Sequence, residues 1–409
     1  MYDVYEIRKQ FPMLKDKKMQ GKPLVYLDNA STTFKPQCVI DAVKKYYTDE
    51  TANSHRGDYD LLFAMDKRVS DAREVVARFV NCDPNEVVFT AGDTMSLNLI
   101  ALSYGVPFIK KGDEIIVSEA EHASNLLPWF NLAHLVGAVI KYIPLDKDGA
   151  LTVENLKTVI SNKTKIVAVA QVSNVLGNIV DVKAFAKIAH EYGAIIVVDG
   201  AQSIPHLKMD FKDADIDLLT FSGHKMCAPT GIGCLIGKYD LLNKMQPYYM
   251  GGGMNETFTK ETEIIPYPAP TRFEAGTLNI AGICGLKAAV EFLESIGIDN
   301  IHQHDRELCE YAIKRLEECK DIIIHNRNSK NGIVTFNRKG VFAQDEGTLL
   351  NSKGIAVRSG QHCAKILKDY LGTVATVRMS TYLYTTKEDI DAFVDALKDG
   401  GDILDAYFN

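Results

Sequence analysis

Ile195-Ile196-Val197-Val198-Asp199-Gly200-Ala201-Gln202 and, shortly after it, Leu218-Leu219-Thr220-Phe221-Ser222-Gly223-His224-Lys225 decide how this chain is read. Each is a largely apolar run that ends in a turn of small and charged residues. A strand with one wet face alternates apolar and polar side chains. An unbroken apolar run suits a strand buried on both faces, as in a parallel sheet covered by helices. Working outward, strands are expected at 86–90, 114–118, 139–143, 165–171, 194–199, 217–221 and 233–236. Amphipathic stretches lie between many of them. One covers 182–192, with Val182, Phe185, Ala186, Ile188 and Ala189 at the spacing of one helix face. Strands alternating with helices predict an α/β domain built on a mainly parallel sheet.

The tail has a different pattern. Helices are expected over 283–293 and 305–319, short strands at 332–337 and 355–358, and a helix near 387–397, together a smaller α+β domain. A chain of 409 residues has room for two or three domains at roughly 150 residues each. The expected division is an N-terminal segment (1–22) packing with the small domain, a large domain (23–289) and a small C-terminal domain (290–409). The loop from Gly251-Gly252-Gly253 to Pro270 is long enough to be functional or partly structured.

Composition narrows the function. Apolar residues make up 46% and charged residues 24%, which excludes a disordered, collagen-like or coiled-coil chain. The net charge is −7 with no basic run, so no nucleic-acid partner is expected. No apolar run approaches the roughly 20 residues of a membrane helix. The first residues, Met1 to Gln10, lack an apolar signal core. Eight cysteines without a CxxC pair suggest free thiols in a reducing cytoplasm and no metal centre.

The chemistry gathers at expected strand ends. Lys225 follows a buried strand among small residues, unlike a solvated surface lysine. Asp199 ends a buried strand, where an acid is costly unless paired. A pyridoxal-phosphate site needs both: a lysine to attach the cofactor and an acid to keep its ring nitrogen protonated. A helix N-cap is the alternative for Asp199. The turn Thr90-Ala91-Gly92-Asp93-Thr94 opens a helix expected near Met95, and amides at such a terminus attract phosphate. His122 follows another strand, where ligands of α/β sheets collect. Arg358-Ser359-Gly360-Gln361-His362-Cys363 places a cysteine on an exposed turn, where a nearby His and Arg would favour thiolate. Arg378 offers a fork for a carboxylate or, alternatively, a domain-interface salt bridge.

At these residues the chain resembles the cysteine desulfurases, within the class V aminotransferase group of fold-type I pyridoxal-phosphate enzymes. The likeness is carried by His55-Arg56-Gly57, Val172-Ser173-Asn174-Val175-Leu176-Gly177, Asp199-Gly200-Ala201-Gln202, Ser222-Gly223-His224-Lys225, Arg272-Phe273-Glu274-Ala275-Gly276-Thr277 and the Cys363 motif. The cysteine directly after a strand, and the insertion between Gly253 and Arg272, resemble the SufS-like (group II) branch, where that insertion forms a hairpin.

The resemblance implies a role for each position. Lys225 would attach the cofactor, Asp199 would pair with its ring nitrogen and Gln202 would contact its phenolic oxygen. His122 would stack on the ring and move protons. Thr94, Ser222 and His224 would hold the phosphate, with Thr277 reaching the cofactor of the other subunit of a homodimer. Asn174 and Arg378 would clamp the substrate carboxylate. Cys363 would take sulfur from L-cysteine as a persulfide, releasing alanine, and pass it to a SufE-like or SufU-like acceptor for iron–sulfur cluster assembly. A selenocysteine lyase or cysteine-sulfinate desulfinase shares most of these residues, and a low-turnover scaffold that docks sulfur-transfer partners is a further alternative. Asp93, Met95, Gln361 and Thr385 depart from the family pattern. Asp93 stands where threonine is usual, and it is expected to point away from the phosphate and cap the helix.

Overall fold

The computed structural model describes residues 2–54 and 57–401. His55 and Arg56 of the quoted motif, and the chain from 402 onward, lie outside the described residues.

Seven strands form one sheet: β1 (Val87–Thr90), β2 (Glu114–Ser118), β3 (Val139–Ile143), β4 (Thr164–Ala170), β5 (Ile195–Asp199), β6 (Leu218–Ser222) and β7 (Gly233–Gly237). Their spatial order is β1-β7-β6-β5-β4-β2-β3. Each neighbouring pair from β6 to β3 is parallel, and β7 runs antiparallel to both β6 and β1. The expected mainly parallel sheet of an α/β fold is therefore present. Continuous apolar runs are possible because both faces are covered. Ile196 and Val198 enter a core with Phe185 and Ala189, while Val197 enters the opposite core with Leu97 and Trp129. Strand side chains alternate faces, so each run fills two cores at once.

The helices that matter for the site are α1 (Asp60–Val80), α2 (Asp93–Ile100), α3 (Leu127–Val136) and α4 (Val182–Glu191) on the large sheet. The long apolar α5 (Ile280–Ile296) leads directly into α6 (Ile298–Leu316). Helix α2 begins two residues before the expected start near Met95, because Gly92 turns the chain at φ 148°. That backbone conformation favours glycine.

The C-terminal sheet contains β8 (Ile322–Ile324), β9 (Ile333–Arg338), β10 (Arg358–Gly360) and β11 (Thr376–Ser380), antiparallel in the order β8-β9-β11-β10. Leu308, Phe336, Val377 and Phe393 share its core. The single strand expected at 355–358 is divided. Ile355–Ala356 pairs in parallel with Val25–Tyr26, and β10 pairs with β11. The N-terminal helix Val4–Arg8 lies on the seam between the two cores. Arg8 bridges Asp389 at 2.7 Å, whereas Phe11 packs edge-on against Phe292 at 5.7 Å. The long loop folds as a hairpin of Asn255–Phe258 and Ile264–Pro266 with Phe258, Ile264 and Ile265 exposed. Among the described residues, no helix is long and apolar enough to cross a membrane.

Candidate active site

The C-terminal ends of five strands converge on one cavity of about 180 Å³. β1 delivers Thr94 through the turn into α2, β2 delivers His122, and β4 delivers Asn174. Asp199 ends β5, with Gln202 in the turn beyond it. Ser222 ends β6, followed by His224 and Lys225. Arg378 reaches the same cavity from β11. Two expected site residues are not among those lining it. Cys363 is exposed, on a loop whose carbonyl accepts the Ala123 N–H at 2.8 Å, beside His122. Thr277 lines a second hollow with Thr90, Met95 and Tyr249.

Burial pushes the Lys225 ammonium below the ordinary lysine value, and Asp199, then Asp93, oppose that shift. Burial raises the Asp199 carboxyl, offset first by Lys225 and then by the Ala201 N–H, which donates to Oδ1 at 2.8 Å. Asp199 thus accepts a local amide, as the N-cap alternative required, and also faces the cavity. No regular helix follows it; residues 201–206 form turns. Asp93 does not cap α2. Its Oδ1 accepts the Thr220 hydroxyl at 2.6 Å at the cavity wall, while its N–H donates to Ser222 Oγ at 2.8 Å.

Three histidines at the site are held neutral. His122 is lowered to about 4, by burial first and then by Lys225, Arg378 and Arg358. Its Nδ1 accepts the Ser124 N–H at 3.1 Å, which leaves the ring proton on Nε2. Burial, then Lys225 and Lys35, lower His224 to about 4. His362 is lowered to about 3, and its Nε2 faces Thr376 Oγ1 at 2.9 Å. The expectation that the histidine beside Cys363 would act as a cation is therefore corrected. The ring turns toward Thr376 of β11, so Arg358 and Arg378 remain as the cationic groups.

Arg378 of β11 is held by three acceptors from earlier in the chain. Its guanidinium donates to Asn174 O at 2.8 Å, to Ser31 Oγ at 2.9 Å and to Asp28 Oδ1 at 3.1 Å. Asn174 Nδ2 donates to His362 O at 2.8 Å, tying the cysteine loop to β4. His362 and Cys363 both adopt left-handed backbone, at φ 50° and 58°. Such non-glycine strain persists where surrounding contacts enforce it. Gln202 Nε2 donates to Ala30 O at 2.7 Å.

Several contributors were not singled out from sequence. Glu121, next to His122, is buried and pushed up to about 8 by desolvation. It accepts from Ser118 Oγ, from Asn125 Nδ2 at 2.8 Å and from the Ala170 N–H at 2.9 Å, locking the β2 turn onto β4. Ser124 Oγ contacts Thr94 Oγ1 at 2.7 Å. Asp28 and Ser31 orient Arg378. An acid before a strand-end histidine was the available signal for Glu121; the others depend on distant segments meeting.

The family model for class-V aminotransferases matches residues 25–393. A probable cysteine desulfurase of Halalkalibacterium halodurans is 46% identical, covering 97% of this chain and 97% of its own. One from Staphylococcus aureus is 45% identical over 97% of this chain and 96% of its own. Among solved structures, the cysteine desulfurase CsdA of Escherichia coli superposes with a TM-score of 0.91 at 37% identity, covering 99% of each chain. The cysteine desulfurase of Thermococcus onnurineus gives 0.92 at 35%, covering 98% of each. The chain belongs to the class-V aminotransferase family and, within it, to the cysteine desulfurases.

The cofactor of the family is pyridoxal 5'-phosphate. The cavity fits such a group. Arg378 Nε and Asn174 Oδ1 are buried there without a hydrogen-bond partner among the described residues. A lysine, an acid and a helix N-terminus face the same space.

Proposed function

We propose that this cysteine desulfurase is of the SufS-like branch, taking sulfur from L-cysteine, releasing L-alanine and holding the sulfur as a persulfide on Cys363. The observation that carries this reading is the convergence of Lys225, Asp199, His122 and Arg378 on one cavity with the Cys363 loop tied to its rim.

Pyridoxal phosphate, when bound, supplies the electron sink that lets the substrate lose its Cα proton and break its C–S bond. Lys225 would hold the cofactor through Nζ, and its free amine would be the base that moves the Cα proton. Its depressed ammonium pKa suits that task. Asp199 would pair with the ring nitrogen, and Gln202 would contact the phenolic oxygen. His122 would pack against the ring, and it holds its own proton at Nε2. Thr94, Ser222 and His224 would hold the phosphate, with the amides at the start of α2 favouring its charge. Arg378 and Asn174 receive the substrate carboxylate. The Cys363 thiolate attacks the substrate sulfur, the S–S bond forms as the C–S bond breaks, the released electron pair stays with the substrate carbon, which takes up a proton as the methyl of alanine, and the sulfur stays on the enzyme.

The same reading makes the active unit a homodimer in which Thr277 of the partner subunit completes each phosphate site. Sulfur then passes to a SufE-like or SufU-like acceptor for iron–sulfur cluster assembly in the cytoplasm. It also divides the chain into segment 1–22, a cofactor-binding domain over 23–289 and a small domain over 290–409 that carries the Cys363 loop.

The test is alanine and sulfide release from L-cysteine by cofactor-loaded protein, with and without reductant, in wild type and Cys363→Ala. Matched products in the wild type, lost in the variant, are expected. Full activity in Cys363→Ala would overturn the persulfide route.

A further inference from the structure

Two carboxyls face Lys225 in this cavity. Asp93 is the first residue of α2, and its Oδ1 accepts the Thr220 hydroxyl at 2.6 Å. Thr220 on β6 is the register partner of Asp199 on β5. Both acids are buried, Asp93 at 5% and Asp199 at 4% exposure, and both line the cavity. The titratable groups facing Asp93 are Asp199 from β5, Lys225 from the turn after β6 and Glu121 from the turn after β2.

One lysine balances one carboxylate. A second buried carboxylate is left uncompensated and takes up a proton instead. Asp199 is placed to keep the charge, because it holds the Ala201 N–H and its leading charge partner is Lys225. Asp93 is placed to lose it. After burial, its leading charge neighbour is Asp199 itself, and its carboxyl is pushed up to about 8.

We propose that Asp93 is a neutral carboxylic acid in the wall of this site. It is a positioning residue that leaves Asp199 as the lone carboxylate opposite Lys225, and its ionisation at alkaline pH loosens a phosphate-bearing cofactor held at the start of α2. The inference rests on the cofactor-binding reading above. Asp93 adjoins Thr94, the expected phosphate ligand, so its ionisation adds a negative charge beside the phosphate dianion.

The experiment is equilibrium binding of pyridoxal phosphate to cofactor-free protein, followed by the cofactor's absorbance from about pH 6.5 to 9.5. It compares wild type with Asp93→Asn, Asp93→Thr and Thr220→Val. Wild-type affinity should fall roughly tenfold more across that range than affinity in either Asp93 variant. In Thr220→Val the break should move to higher pH, because the hydroxyl that stabilises the ionised form is gone.

Thermal unfolding of the cofactor-free protein gives a readout independent of loading. Folded Asp93 keeps a proton that an unfolded aspartate releases near pH 4, so wild-type stability should fall as pH rises from about 5 to 8. Asp93→Asn should lack that component. Parallel profiles for wild type and the Asp93 variants, with the cofactor still bound, overturn the inference alone. Failure of every form to bind the cofactor overturns the underlying reading, and the unfolding profiles then decide whether Asp93 holds its proton.

Discussion

His362 shows how a single side chain sets a pH limit. Its Nε2 lies 2.9 Å from Thr376 Oγ1 and 3.2 Å from the Thr376 carbonyl, so Nε2 carries the proton. Nδ1 is buried without a partner among the described residues. Protonating it would place a charge in a dry site near Arg378 and Arg358, which is why the ring is lowered to about 3. The unfolded histidine, near 6.5, binds its proton first as pH falls. Stability from this ring is therefore complete above about pH 6.5 and is lost as pH drops toward 3. The loss should be on the order of 2–3 kcal/mol by about pH 4.5. Thermal unfolding of cofactor-free His362→Asn against wild type checks this; the variant's acid-side slope should be shallower, and equal slopes would refute it. His122 and His224 act with the same sign in both proteins, so the difference isolates His362. The sequence showed the histidine beside Cys363 but not its direction. That direction depends on β11, which supplies Thr376 and lies beyond the cysteine loop.

At the scale of elements, a largely buried ion pair fixes the segment that carries Thr277. Arg73 of α1 makes a two-pronged bridge to Glu274 at 2.9 and 2.8 Å and stacks over Phe89 at 4.6 Å. Glu274 Oε1 also accepts the Phe89 N–H of β1 at 2.8 Å. One carboxylate therefore joins a helix, the edge strand of the sheet and the Arg272–Thr277 stretch. Glu274→Ala leaves the Arg73 charge and the Phe89 amide unpaired, at a cost of about 3–5 kcal/mol. Urea unfolding should show this as a lower midpoint. Replacing both partners, as Arg73→Met with Glu274→Leu, should recover much of the loss. If the single and double variants are equally weak, the bridge is not what holds the segment. The strands themselves were legible because burial on both faces writes an unbroken apolar run, as in 195–198. The hairpin in the 251–270 loop was legible only through the family resemblance. Its exposed Phe258, Ile264 and Ile265 face no core in the single chain, so hydrophobic pattern gave no guide to its pairing.

At the scale of the whole molecule, the site is drawn from both ends of the chain. Asp28 and Ser31 meet Arg378, and Asn174 meets the cysteine loop, which no local pattern encodes. In the proposed homodimer, Thr277 would extend this beyond one chain. It sits in its own hollow with Tyr249, apart from the cavity holding Lys225. If Thr277 of the partner subunit completes each site, defects in the two residues complement across a mixed dimer. Thr277→Ala alone removes a hydrogen bond to a charged group, worth about 1.5–3 kcal/mol, and should weaken cofactor binding roughly 10–100-fold. Lys225→Ala alone should abolish turnover and leave assembly intact. In a heterodimer of the two, the protomer that retains Lys225 receives an unaltered Thr277 of the partner subunit. That site should bind cofactor with wild-type affinity and turn over at half the wild-type rate per dimer. Differently tagged protomers, purified as the mixed pair and titrated with pyridoxal phosphate, test this. A mixed dimer whose active site keeps the weakened affinity of Thr277→Ala would place Thr277 at its own chain's cofactor, and each site would then be complete within one subunit.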